Sequence, residues 1–477
     1  MSGEKSKGNG LKIMIIVMLA VIVALVVIIA KISTDKSPDP GKTIINNSTS
    51  DPHSGVMTAL PHNTDGSVIT SEPGVTGNDP AVTGGQKTEE PVTATVTPVP
   101  ATPTAAPTNK PSEELKLVDY SGIVEHVFTH SLVAFPELGY PKDISNVDKV
   151  MNTYFIDCIT VPEFKAILQA LYDDGYMLVN INYVYEKDGN GVPRLKKSFK
   201  FPEGKKPLVF SFDDTCYYSE KMGRGMIDKL VIIDGKIGTY TKHKDGTVVQ
   251  GFDEEHIPIL DRFVEEHPDF SFNGAKGMLC LTGYDGILGY RTQRVSDGDG
   301  RTEADRQREI EAVKPIIKLL KDTGWYFASH SYKHGLMENY STDRMIDCAT
   351  KFQNEVIPLI GETKIYVYPY GSWKRSSDGK TCPGPQRVLN EMGFEYFCSV
   401  GANWYANTRA DLGNIILQDR ANIDGTAFVW FQDIFTNHEE TGKPRFPSIN
   451  FREIYDDARN ISYDDAVAAY KEWKGIS

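Results

Sequence analysis

Three short segments of this chain carry side chains able to do hydrolytic chemistry together. Asp213-Asp214 closes the run PLVFSF, His330 and His334 follow WYFAS, and Pro369-Tyr370-Gly371 follows KIYVY. Each run is short and β-rich, and in a parallel barrel chemistry gathers at the C-terminal ends of strands. One carboxylate with two imidazoles and no thiolate is a donor set for Zn²⁺, with Co²⁺ or Ni²⁺ also compatible. The four-residue spacing of His330 and His334 puts both rings on one face of a helix, as chelation requires. Of two adjacent carboxylates, one outside such a set can take a proton from water. Ser331 stands where a HExxH protease motif needs Glu, so that chemistry is excluded. A second pair with the same spacing, His126 and His130, lies upstream in EHVFTHSL.

The elements that must position these groups alternate. Strands are expected at Tyr176–Ile181, Pro207–Phe212, Gly277–Leu281, Trp325–Ala328 and Lys364–Tyr368. Helical patterns lie between them: a capping box, Thr160 to Glu163, opens FKAILQALYDDG, and EADRQREIEAVKPIIKLLKDTG and STDRMIDCATKFQNEVIPLIG follow. Pro315 is expected to kink or restart the second of these. Asp245-Gly246 between Tyr240 and Val248 reads as a hairpin. Such alternation implies an α/β fold with a parallel sheet or (β/α) barrel.

The chain of 477 residues has a net charge of −13, which argues against a nucleic-acid partner. Every Trp, Tyr, Phe and Cys lies at or after Tyr120, so the first 119 residues are not an ordinary folded domain. Ile13–Ala30 is an unbroken apolar run of 18 residues between Lys12 and Lys31, which reads as a single membrane-spanning helix. The more basic leading flank puts residues 1–12 in the cytoplasm and the remainder outside the cell membrane. Residues 31–114 hold 12 of the 27 prolines and read as a disordered Pro/Thr/Ser-rich stalk. The folded part divides into 115–200, a barrel at 201–435, and a C-terminal extension at 436–477.

SFDDTCYY at 211–218, SHSYKH at 329–334 and YVYPYG at 366–371 resemble, in order, three motifs of the polysaccharide deacetylases of the NodB-homology type, carbohydrate esterase family 4. The resemblance implies a distorted (β/α) barrel that removes acetyl groups from an N-acetylated cell-wall or capsular polysaccharide, releasing acetate. It implies Asp213 as catalytic base, Asp214, His330 and His334 as metal ligands, and Pro369-Tyr370 as the acetyl site, with the Tyr370 N–H on the oxyanion. Tyr217 and Trp373 adjoin these motifs as candidate sugar-stacking residues, as do Tyr218 and Trp404, for which packing in the core or at the rim is an equal reading.

Two departures stand out. Val367 occupies the position where the family carries an Arg that orients the base, leaving Lys333 or Arg291 as substitutes. No His follows the leucine in GNIILQDR (413–420), where the family's late Leu-x-His should lie. His438 lies in a polar stretch. EHVFTHSL resembles the opening of circularly permuted extracellular Gram-positive members, which makes His130 the general acid. The departures leave a glycan-binding pseudoenzyme, or an amidase acting on a non-glycan amide, as alternatives. Gly283, Gly286 and Gly289 read as an active-site loop rather than a phosphate loop. The six cysteines match no zinc pattern, and Cys216 reads as a packed free thiol.

Overall fold

The computed structural model describes residues 115–374, 382–401, 406–430, 432 and 445–476. The expected anchor and stalk, Trp404 and His438 lie outside the described residues. Among the described residues no helix is long and apolar enough to cross a membrane.

Seven parallel strands close into a ring: β1 (Glu125–Thr129), β2 (Lys206–Asp213), β3 (Met278–Leu281), β4 (Tyr326–Ser329), β5 (Ile365–Val367), β6 (Tyr396–Val400) and β7 (Ile415–Asn422). Each pairs with the next in chain order, and β1 pairs with both β2 and β7. Tyr176–Leu178, a short strand that follows the helix Val161–Asp173 in the chain, joins outside the ring along the first residues of β2, Lys206 to Leu208. The expected strand there is shorter than its apolar run, because Ile181–Tyr183 turns into a single 3-10 turn.

Parallel strands are covered on both faces, so they read as continuous apolar runs, and β2 is buried from Pro207 to Asp213. Side-chain alternation still sorts the two faces. Val209, Met278, Cys280, Ile365, Val367, Cys398 and Ile416 pack together inside the ring. Phe210, Phe212, Leu279, Leu281, Phe397 and Leu417 pack outward in the larger core shared with the helices. Those helices include α1 (Val161–Asp173), α2 (His256–Glu266), α3 (Glu303–Asp322), α4 (Thr342–Glu355), α5 (Gly384–Glu391) and α6 (Tyr463–Lys474).

Thr160 and Glu163 form the expected capping box at the start of α1, and Phe164, Ile167, Leu168 and Leu171 are its buried face. Pro315 neither ends nor splits α3, which runs unbroken from Glu303 to Asp322. Pro315 is exposed, so the carbonyl of Glu311 that loses its helical partner faces water. The Asp245-Gly246 hairpin is present, joining Lys236–Lys242 to Val248–Gly251 in a three-stranded antiparallel sheet.

Two buried ion pairs among the described residues link the C-terminal segment to the rest of the fold, Arg445 with Glu125 of β1 and Arg459 with Glu163 of α1. Arg459 donates to Glu163 Oε1 and Oε2 at 2.7 Å each, and to the carbonyls of Phe155 and Cys158. Both side chains are fully buried. Replacing Arg459 by Ala strands the Glu163 charge in the interior. The expected outcome is a loss of about 3–5 kcal/mol in urea denaturation, whereas a change under about 1 kcal/mol would show the pair to be ornamental.

Candidate active site

The alternation that sends Val209 and Ser211 inward sends Asp213 inward too, at the C-terminal end of β2. The next residue, Asp214, has φ 59, a left-handed conformation that Asp tolerates better than most residues, and it turns its carboxylate back toward the same opening. Ser331 (φ 58), His334 (φ 48) and Tyr370 (φ 58) do the same at the ends of β4 and β5. Strained backbone of this kind is held in place by its surroundings and clusters at functional sites.

The result is convergence. Ligand atoms of Asp214, His330 and His334 all lie within 4.8 Å of one another. His334 Nε2 is 3.4 Å from Asp214 Oδ1, and His330 Nε2 is 3.8 Å from Asp213 Oδ2. His330 Nδ1 lies 3.1 Å from the carbonyl of Val367. A carbonyl only accepts, so Nδ1 carries the proton and Nε2 presents its lone pair to the opening. Tyr218 donates its hydroxyl to Asp214 Oδ1 at 2.6 Å and lies 3.1 Å from Thr282 Oγ1. An N,N,O triangle with oriented rings and a hydrogen-bonded carboxylate fits a divalent cation.

The two imidazoles meet by a different route from the one their spacing suggests. No helix carries them: His330 follows β4 directly, and a loop with two left-handed residues brings His334 back beside it. Their ring centroids are 4.9 Å apart. The Ser331 hydroxyl accepts the His334 N–H at 3.0 Å and fastens that loop.

Asp213 is not left without a cation. Arg420, at the end of β7, donates to Asp213 Oδ1 at 2.8 Å and to Oδ2 at 2.7 Å, and it also bonds Ser211 Oγ and the Ser399 carbonyl. Arg420 is fully buried and its guanidinium lies 4.0 Å over the Phe128 ring. This corrects both expected substitutes. Arg291 is bonded to Asp285 and to the Tyr217 carbonyl, and Lys333 is exposed. Val367 packs inside the ring, and the cation it lacks arrives from two strands further round.

His126 and His130 separate. Both face inward from β1, but four residues of strand set them roughly 13 Å apart. His126 is fully buried, 3.2 Å from Gln418 Oε1 and 3.0 Å from Ser211 Oγ, and burial followed by the nearby Arg420 lowers its pKa to about 3. It is a neutral interior group. His130 stands at the opening, half-buried, its Nδ1 without a hydrogen-bond partner among the described residues. It lies within electrostatic reach of Asp213, Asp214 and His334.

Burial pushes the Asp213 and Asp214 carboxyls up, and the cations overcome it. Arg420 and His330 hold Asp213, and His334 and Lys221 hold Asp214, below the usual carboxylate range. Burial lowers both ligand histidines, His334 to about 4, and metal binding takes the neutral form of the ring.

Asp424, which the sequence did not single out, is the exception. Burial raises its pKa to about 7 from 3.8, against the pull of His130. Its Oδ1 accepts from Asn422 Nδ2 and from the N–H groups of Thr426 and Ala427. The folded chain therefore holds this proton between pH 4 and 7 while the unfolded chain releases it, and stability falls as pH rises through that window. Asp424→Asn is expected to be the more stable protein at pH 8 by roughly 1–3 kcal/mol and to lose the advantage by pH 4. Denaturation at the two values checks this, and an advantage equal at both would refute it.

Among the expected sugar-stacking residues, Tyr217 is corrected. Its backbone is left-handed (φ 51), its ring is buried in the core, and its hydroxyl finds no partner among the described residues. Tyr218 goes to Asp214 instead, and Tyr284 stacks on Tyr218 at 5.1 Å with its outer face open. Pro369 is buried, the Tyr370 ring lies 4.7 Å from His334, and Trp373 is half-buried, stacked on Tyr368. The glycine loop braces the Asp214 turn: Gly289 donates to the Cys216 carbonyl and Leu288 to that of Thr215. At Gly289 (φ 88) a Cβ would meet the Asp228 carbonyl at 2.3 Å. All six cysteines are free thiols, Cys216 among them.

Residues 301–396, which include both ligand histidines and Pro369-Tyr370, match the family model described as polysaccharide deacetylase. No curated protein matches the chain. Among solved structures, the Streptococcus pyogenes deacetylase PplD in complex with acetate is 14% identical, with 65% of this chain and 94% of that chain covered at a TM-score of 0.34. A polysaccharide deacetylase from Bacillus cereus is 10% identical, with 64% and 66% covered at the same TM-score of 0.34. The segment that carries both ligand histidines and the Pro-Tyr turn is thus the part of the chain that is similar to the polysaccharide deacetylases.

Proposed function

We propose that the protein hydrolyses N-acetyl groups of a cell-wall or capsular polysaccharide, giving acetate and a free amine on the sugar. The observation that carries this reading is the pocket itself: Asp214, His330 and His334 within 4.8 Å of one another, and Asp213 beside them in the grip of Arg420. Asp214, His330 and His334 would hold a divalent cation there, Zn²⁺ by the donor set, which would supply Lewis acidity toward the acetyl carbonyl and the attacking water.

The chain's own groups do the rest. Asp213, ionised and held by two hydrogen bonds, takes the proton of the attacking water. The Tyr370 N–H faces the developing oxyanion, where one donor is worth about 3 kcal/mol. As the C–N bond breaks, His130 gives a proton to the departing amine. The position of β1 between β7 and β2 supports reading it as the family's last strand moved to the N-terminus, with Phe128-Thr129-His130 in place of the late Leu-x-His. Arg420 supports a working base where Val367 suggested an impaired one. The apolar run Ile13–Ala30 and the Pro-rich segment after it support a tethered enzyme working outside the cell membrane.

The purified protein supplied with Zn²⁺ is expected to release acetate from N-acetylglucosamine oligomers. Metal-loaded protein that releases none from any N-acetylated glycan would overturn the assignment.

A further inference from the structure

A groove of about 750 Å³ opens beside the pocket, walled in part by Ser219, Tyr284, Arg294, Lys333 and Glu355. It adjoins the chemistry through its walls. Lys333 precedes His334 in the chain, and Tyr284 lies on the Tyr218 ring whose hydroxyl reaches Asp214.

Its three carboxylates are already occupied. Asp285 accepts from the Ser219 N–H at 2.6 Å and Oγ at 2.9 Å, from Gln293 Nε2, and faces Arg291 at 3.2 Å. Glu355 accepts the Tyr332 hydroxyl at 2.6 Å and the Arg294 N–H at 3.1 Å, with Arg294 Nε at 3.3 Å. Asp299 accepts from the N–H groups of Ser296 and Arg301 and from the Arg301 guanidinium. Two cations keep donors for something else. Lys333 is exposed and has no ion-pair partner among the described residues, and the Arg294 side chain, whose Nε is 3.3 Å from Glu355, is 68% exposed. An open aromatic face beside unspent cationic donors suits a sugar ring that carries negative charge.

We infer that this groove is a subsite for the sugar flanking the reacting one, stacked on Tyr284 with an anionic substituent bonded by Lys333 and Arg294. The substrate is thereby an anionic polysaccharide, an inference that rests on the deacetylase reading and narrows it. Both carboxylate and phosphate substituents satisfy the donors.

The test compares the full-length protein on three oligomers of one N-acetylglucosamine backbone: neutral, carrying a carboxylate ether on alternate sugars, and carrying a phosphate ester there. A kcat/KM about tenfold higher on a charged oligomer, worth roughly 1.4 kcal/mol, is expected. The preferred charged arm identifies the substituent. Lys333→Ala with Arg294→Ala removes the preference, Lys333→Glu reverses it, and Tyr284→Ala lowers kcat/KM on all three. Equal rates on neutral and charged oligomers, or a preference that survives the double variant, overturn the proposal. Should no oligomer be hydrolysed, the catalytic reading fails, and calorimetry with the same three oligomers still decides the subsite. Charge-dependent affinity lost in the double variant upholds it, and no such affinity refutes it.

Discussion

Asp213→Asn is expected to lower acetate release by roughly 10²–10⁴-fold, the range a general base contributes, while the protein still folds and still takes up its cation. Asn keeps the shape of the side chain and one acceptor for Arg420, so the pair loses its charge more than its packing. Asp214, His330 and His334 are untouched, and His330 keeps its bond to the Val367 carbonyl. The deficit should therefore appear in kcat, with KM and divalent-ion affinity within a few fold of the parent. Loss of ion uptake in this variant would mean that Asp213 is a ligand. Retained turnover would mean that another group takes the proton.

Arg420→Met carries the second large effect, and its signature is in pH. Asp213 is buried, and burial alone raises its carboxyl; Arg420 leads the groups that bring it below the ordinary range. With the guanidinium gone, burial prevails and the folded-state pKa of the base moves up. The acidic limb of the rate profile then shifts to higher pH, and activity at neutrality falls about 10²-fold with partial recovery on the alkaline side. The variant also leaves a carboxylate unpaired in the interior, a cost of about 3–5 kcal/mol at pH values where Asp213 is ionised. Arg420→Lys restores a charge without the two-pronged bond and should recover part of both effects. A rate lowered equally at every pH would point to lost packing instead.

The parts of this site that were legible in the sequence are those written in adjacent residues. Asp-Asp, His-x-x-x-His and Pro-Tyr-Gly each follow a run of apolar β-formers, and strand alternation is enough to put the first Asp inside a barrel. The helices between were readable because caps and spacing are local properties: Thr160 and Glu163 are three residues apart and form the box their types imply. What was not legible depends on which strands become neighbours. Arg420 ends GNIILQDR and reaches Asp213 only because ring closure sets β7 two places from β2, with β1 between. Asp424 was hidden for the same reason, its neighbour His130 being almost three hundred positions away in the chain. The histidine loop misled in the other direction. A spacing of four suggests a helix, and left-handed Ser331 and His334 reach the same convergence without one. Tyr217, expected to face the sugar, is buried instead because φ 51 turns its ring into the core, an inversion that residue type does not announce.

Titration of the metal-free protein with Zn²⁺ in a calorimeter asks the central question most directly. Three convergent ligands predict one tight equivalent per chain, lost in His330→Ala and in Asp214→Ala but kept in His126→Ala, whose ring is spent on Gln418 and Ser211. Absence of uptake, or uptake indifferent to His330 and Asp214, would contradict the pocket on which the proposed chemistry rests.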